Sequence, residues 1–251
     1  MRRLLRPPRE PSALGIMAFS ALVGLATAAS PSPAGLALAV AAVLLHVFTF
    51  DAAFDAARLR RRGLLAALAA LNASPYLLAV LLWRDWVLAA AVLAYAPVLA
   101  VYLVLSLRGA LRTPPGYIAG AALLAYTAVL SAALAGEPTR LTLAGFALMM
   151  LYTASTAAYV ETRLPTRRTS PLLPLAVWLP ALPVAAATWP WLLLACIEPT
   201  AKLMVNAARN TKIDMREIRR LGWRELARLT LFTALLTASL AVLRGTDPEA
   251  P

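Results

Sequence analysis

Acid is scarce in this 251-residue chain: 12 Asp and Glu stand against 24 Lys and Arg, giving a net charge of +12, with one histidine and one cysteine. The lone Cys196 excludes an internal disulfide and, inside an apolar run, offers no metal site; packing is the role left to it. The lone His46 excludes a histidine-rich metal centre. No Walker loop, dinucleotide fingerprint, HExxH or GxSxG occurs. The nucleotide-binding, metalloprotease and serine-hydrolase chemistries that use those motifs therefore have no footing here.

What the chain does have is apolar length. It is 61% hydrophobic with a mean hydropathy of +0.72, against roughly 45–50% apolar residues in soluble domains. Such a composition leaves too little polar surface to cover a soluble fold. A bilayer crossing takes about 20 residues, and the apolar segments predict nine spans, near 12–29, 33–50, 64–82, 86–107, 117–135, 141–160, 171–187, 189–208 and 226–243. The first follows Arg2, Arg3, Arg6 and Arg9 without a small-residue cleavage site, and reads as a span rather than a signal peptide. The seventh carries Pro171, Pro174, Pro180 and Pro183, and the eighth Glu198, Pro199 and Lys202, so both are expected to be kinked or partly unwound. The expected class is an all-α polytopic bundle forming one membrane domain.

The basic residues set its orientation. Alternate connections hold Arg2 to Arg9, then Arg58 to Arg62, Arg108 and Arg112, Arg163 to Arg168, and the basic stretch from Lys202 to Arg228. Only Arg84, Arg140 and Arg244, of the 24, fall on the other side. This places the N-terminus in the cytoplasm of a cell-membrane protein and explains the net charge without nucleic acid. Trp83, Trp86, Trp189 and Trp191 sit where an interfacial belt would lie on the opposite side. The basic loop from Thr211 to Arg228, with Ile213, Ile218, Leu221 and Trp223, reads as amphipathic and suited to an anionic leaflet. Runs such as Ala119-Gly120-Ala121-Ala122 allow close helix packing.

Three polar constellations are candidate sites. At the cytoplasmic end of the second span, Asp51 and Asp55 are i and i+4 and share a helix face. They either pair with Arg58 or Arg62 as surface charges, or hold Mg²⁺ whose remaining positions take diphosphate oxygens while Arg58 and Arg62 neutralise the phosphate. In the eighth span, Glu198, Lys202 and Asn206 recur every four residues. They form either an internal Glu198–Lys202 salt bridge or the wall of a polar cavity. At the sixth-span exit, Tyr152, Ser155, Tyr159, Glu161 and Arg163 read as interfacial tyrosines with surface charges or as a cavity rim. His46 is expected to hydrogen-bond inside the bundle near Asp51, and Asn72 and Ser74 to satisfy backbone beside Pro75.

The aspartates after the second of nine spans resemble the UbiA superfamily of intramembrane prenyltransferases, which carry NDxxDxxxD there. Asp51 and Asp55 match its last two acids, Val47 and Phe48 occupy the first two positions, and Glu161 is the only carboxylate near the place of that family's second acidic motif. This resemblance implies Mg²⁺-dependent transfer of an isoprenoid from its diphosphate. The C-terminal half is similar to the YwiC-like membrane proteins, through Tyr159-Val160-Glu161-Thr162-Arg163 and through the basic run ending in Leu221-Gly222-Trp223-Arg224-Glu225. Together the readings lead to handling of an isoprenoid or lipid diphosphate at the cytoplasmic face, with His46, Tyr152, Tyr159, Glu161, Glu198, Lys202 and Asn206 around a cavity. A solute or ion transporter with its site at Glu198 is the alternative, and a non-catalytic scaffold a third.

Overall fold

The computed structural model describes residues 11–59, 61–209, 211–214 and 217–246. Its elements are α1 (Pro11–Thr27), α2 (Pro33–Arg58), α3 (Arg62–Trp83), α4 (Trp86–Leu107), α5 (Pro114–Ala125), α6 (Thr127–Ala135), α7 (Arg140–Arg163), α8 (Leu173–Trp178), α9 (Ala181–Thr188), α10 (Leu193–Arg209) and α11 (Ile218–Thr246). No strand occurs among the described residues; one isolated bridge joins Ala29 to Glu137.

Every one of the nine apolar segments is helical, but they are not equal. Six helical stretches are long and apolar enough to cross a bilayer: Pro33–Ala53 of α2, all of α3, α4 and α7, the α5–α6 rod from Pro114 to Ala135, and α11. The remaining three are α1 and α10, at 17 described residues each, and the α8–α9 pair. A 17-residue helix is about 25 Å long, short of a hydrocarbon core of about 30 Å. Proline explains much of this. α8 stops at Trp178 and α9 restarts after Pro180, while a 3-10 turn at Pro190–Leu192 delays the start of α10. Where proline sits inside α3, the chain repairs the damage: Pro75 cannot donate to the Leu71 carbonyl, and Ser74 Oγ donates to it at 2.7 Å instead. α11 starts at Ile218, so the part of the expected interfacial loop from Ile218 to Arg228 is instead the opening of a long helix.

The centre of the bundle is α1, which packs against α2, α5, α6, α7 and α11. Its crossing with α6 is so close that a Cβ at Gly24 would run into the backbone of Ala128. One apolar cluster joins α1, α7, α8, α10 and α11 through Val23, Leu148, Tyr152, Trp178, Leu203 and Phe232. A second joins α2, α3, α4 and the α5–α6 rod through Ala42, Tyr76, Leu88, Tyr126 and Leu130. The α5–α6 rod and α7 are mostly buried, whereas α3 and α4 leave Leu77, Leu81, Leu93 and Leu107 exposed, a surface matched to lipid.

Alternating helix direction sorts the charges. His46 meets Tyr76 and Thr49 meets Asn72, so α2 and α3 run antiparallel and carry Trp83 and Arg84 to the end where α2 begins. That end is closed by the Ala29–Glu137 bridge, by Thr27 Oγ1 beside Thr142 Oγ1 at 2.9 Å, and by Arg244 Nη1 donating to the Ala26 carbonyl. Exposed Trp86, the first residue of α4, and Trp191, in the 3-10 turn before α10, lie at that end. At the other end Lys212 Nζ donates to the carbonyls of Thr162 (2.7 Å) and Arg167 (3.0 Å), tying the loop before α11 to the end of α7.

Candidate functional site

One face of α10 carries Glu198, Ala201, Lys202, Val205, Asn206 and Arg209, at the i, i+3, i+4 spacing that lines up side chains on a helix. α7 contributes Tyr159 and Arg163, and α11 contributes Arg228. Together with Thr211 these residues line a cavity of ≈ 460 Å³ at the basic end of the bundle.

The charges are paired across helices rather than along α10. Lys202 Nζ donates to Glu225 Oε2 at 2.8 Å, with side chains only 5% and 8% exposed. Glu225 Oε1 takes Arg228 Nη1 at 2.6 Å, and Arg228 Nε reaches Glu198 Oε1 at 3.0 Å. The expected Glu198–Lys202 bridge is therefore replaced: α11 brings a carboxylate and a guanidinium closer than the i+4 neighbour. Each oxygen of Glu225 holds one cation, which is how a buried carboxylate becomes tolerable. Lys202 also lies over two rings, 5.3 Å from the centroid of Tyr152 and 5.1 Å from that of Tyr159, where the ring quadrupole attracts an ammonium. Tyr152 is stacked on Phe232 with centroids 4.4 Å apart, beneath the cavity rather than on its wall.

Asn206 is buried and its amide orientation is fixed. Its Nδ2 donates to Thr162 Oγ1 at 3.2 Å and to the Pro171 carbonyl at 3.4 Å, both acting as acceptors, because the Thr162 hydroxyl is spent on the Tyr159 carbonyl. Oδ1 is left without a donor, an acceptor matched to an O–H or N–H from a bound molecule. Arg163 stacks 5.9 Å over the Tyr159 ring and its Nε has no acceptor. Among the described residues, no carboxylate pairs with Arg163 or Arg209.

Of the residues expected from the sequence, Tyr159, Glu198, Lys202 and Asn206 come together here, with Tyr152 below them. Glu161 turns aside to Arg167, whose Nε is 3.1 Å from Oε2. Asp51 and Asp55 share a face of α2, as their spacing predicts, and neither lines the cavity. Among the described residues, no group of three or more His, Cys, Asp and Glu is arranged to hold a metal. Arg62 opens α3 and is exposed; the side chain of Arg58 lies outside the described residues. His46 belongs to a separate polar cluster between α2 and α3. The Asn72 amide donates to the Leu68 carbonyl at 2.8 Å, so its Oδ1 faces His46 Nδ1, which must carry the proton. Nε2 then accepts from the Tyr76 hydroxyl at 2.9 Å. With both ring nitrogens engaged, His46 holds α2 to α3.

Glu225 and Arg228 are the site residues that spacing alone did not single out. A signal was present, since of the three acids in the basic stretch, Asp214, Glu217 and Glu225, Glu225 is the one next to the apolar run of the last helix. No protein-family model, curated protein or solved structure matches the chain.

Proposed function

We propose that this is a nine-span protein of the cell membrane, with its N-terminus in the cytoplasm, that binds the phosphate groups of an isoprenoid or other lipid diphosphate in the cavity between α7, α10 and α11. The observation that carries the reading is the cation excess of the cavity. Arg163, Lys202, Arg209 and Arg228 face it, while Glu198 on its wall and Glu225 behind it cancel only two of the four. Guanidinium groups without carboxylate partners are the ordinary means of holding phosphate. The volume falls within the usual range for small-ligand sites, about 300–1,000 Å³. Exposed Ile197 and Met204 on the same helix give an attached chain an apolar path in the bilayer. Six full-length apolar helices and two shorter apolar stretches, with the polar-faced α10 as the ninth segment, support the nine-span arrangement, and the basic end is the cytoplasmic one by charge bias.

Isoprenoid transfer would ask more of the chain: Asp51 and Asp55 would hold Mg²⁺ against the same diphosphate. Two carboxylates suffice for Mg²⁺ when phosphate oxygens and water complete its shell, but the cavity wall is built from cations and does not include them. Metal is thus a separable part of the proposal.

The test is thermal stability of the detergent-purified protein with geranylgeranyl diphosphate, with and without Mg²⁺. Wild type is compared with Arg163→Gln/Arg209→Gln and with Asp51→Ala/Asp55→Ala. Stabilisation lost in the arginine variant supports the site. A Mg²⁺ requirement lost in the aspartate variant supports the metal. No shift at saturating ligand removes the reading.

The transporter reading keeps one specific support. The cavity lies against Glu198, on the helix that follows the proline-broken α8–α9 pair. Solute flux in liposomes that is unaltered by Glu198→Gln would count against it.

A further inference from the structure

Asn206 and Arg163 each bring to the cavity wall a buried polar atom that nothing among the described residues satisfies: Asn206 Oδ1 and the Arg163 Nε–H. One is an acceptor and the other a donor. They belong to adjoining parts of the wall, because the Asn206 amide is bonded to Thr162, the residue before Arg163. Asn206 is only 3% exposed and cannot relieve its acceptor by turning round. A flipped amide would aim Oδ1 at the Pro171 carbonyl, which has no proton to give. Buried polar groups without partners are rare in folded proteins. Two of opposite kind on one wall describe a ligand group that both donates and accepts.

Resting on the phosphate-binding reading, we infer that Asn206 is a specificity-determining residue: at equal charge, the cavity takes an oxyanion that keeps an O–H over one that can only accept. The group it selects is a terminal phosphate bearing a proton, and the group it rejects is a sulfate. One phosphate oxygen carries its proton to Asn206 Oδ1, a second accepts from Arg163 Nε, and Arg209 takes the third. The arginines serve any oxyanion alike, so the choice lies with Asn206, where a sulfate would set lone pair against lone pair. Both unpartnered atoms are almost closed off from solvent, so the wall opens as the anion arrives. Arg163 is the part free to move. Its guanidinium lies 5.9 Å over the Tyr159 ring and has no carboxylate partner among the described residues, and an anion draws it outward.

Hexadecyl phosphate and hexadecyl sulfate at about pH 5 make a matched pair. Each carries a single negative charge on the same tail, because the second phosphate proton leaves near pH 6, and only the phosphate has an O–H. Affinities of the full-length protein in neutral-detergent micelles are measured for both and for inorganic phosphate. Wild type binds hexadecyl phosphate about ten- to hundredfold tighter than the sulfate, the range of one hydrogen bond involving a charged group. Asn206→Leu, of similar volume and without the acceptor, brings the two within about threefold of each other. Asn206→Ser does the same, since a hydroxyl can turn its proton to a sulfate, and serves if the first variant folds poorly. Inorganic phosphate separates the sources of the group. Binding weaker than that of hexadecyl phosphate assigns it to a lipid, and binding at least as tight assigns it to free phosphate; the preference over sulfate supports the inference in both cases. Equal binding of the two tailed anions by wild type, or a preference that survives in the Asn206 variants, overturns it. Binding that is still lost in Arg163→Gln/Arg209→Gln then leaves the phosphate site standing without its selectivity. Failure of every probe to bind wild type removes both.

Discussion

Replacing Glu225 by Gln deletes one charge from the Lys202–Glu225–Arg228–Glu198 network and leaves nearly the same volume. At an effective dielectric of about 20, charges 2.8 Å apart attract by about 6 kcal/mol. Desolvation of the two side chains opposes most of that, so the intact pair contributes little to stability. Breaking it is another matter, because Lys202, only 5% exposed, loses its counter-ion. Removal of one partner of a buried pair costs about 3–5 kcal/mol. The rings of Tyr152 and Tyr159 still face the ammonium and each contributes about 0.5–2 kcal/mol, which sets the expected loss for Glu225→Gln near 3 kcal/mol. Lys202→Met leaves Glu225 its contact to Arg228 at 2.6 Å and costs less, about 1–2 kcal/mol. The double variant, with neither buried charge, is more stable than Glu225→Gln alone, a coupling characteristic of contacting residues. Reversible unfolding in mixed micelles, followed by tryptophan fluorescence, reads all four proteins. A loss under about 1 kcal/mol for Glu225→Gln, or single losses that simply add, would refute the reasoning.

Gly24→Val forces apart the α1–α6 crossing, where even a Cβ meets the Ala128 backbone, and lowers stability by at least about 2 kcal/mol in the same assay. Gly222→Ala on α11, with open space around it, has the opposite sign, a gain of up to about 1 kcal/mol from helix propensity. Thr142→Val removes the hydroxyl that accepts from the Thr139 N–H and the 2.9 Å contact to Thr27, while the Thr142 N–H keeps its bond to Thr139 Oγ1; the loss is about 1–2 kcal/mol. Because Cys196 is buried, a Cys196→Ala background suits single-cysteine topology mapping. Cysteines at Asp85 and Arg112 label from opposite sides of sealed vesicles, Arg112 from the cytoplasmic side, and labelling of both from one side would refute the alternating arrangement.

The helices were largely legible from apolar run length, a property of local sequence. So was the break in the seventh segment, since Pro180 acts on its own backbone. Length failed where proline shortened the elements: α10 holds 17 helical residues although its apolar segment extends further. The Glu198–Lys202 expectation failed for a different reason. Spacing of i, i+4 states which side chains are neighbours on one helix, not which partner another helix delivers, and Glu225 and Arg228 arrive from more than a turn beyond any local rule. The Asn206 acceptor and the unpaired guanidiniums of Arg163 and Arg209 likewise exist only once α7, α10 and α11 have met. The sequence could group Asp51 with Asp55, because one helix carries both; it could not say whether they share a wall with the rest.

The central position of α1 bears on how the protein is made. α1 is synthesised before the other described helices, yet its main neighbours are α6, α7 and α11, and α11 follows long afterwards. Gly15 faces Leu226 and Leu229 of α11 and Gly24 faces Ala128 of α6, so the two sides of α1 receive their final neighbours at different stages of synthesis. Ser20, one turn before Gly24 on the same side, keeps a hydroxyl without a partner even in the finished bundle. The contacts of α1 and α10 with α11 can form only once α11 has been made, so the half of the bundle that contains the cavity cannot close before then, whereas all the contacts of α2 with α3 are available much earlier.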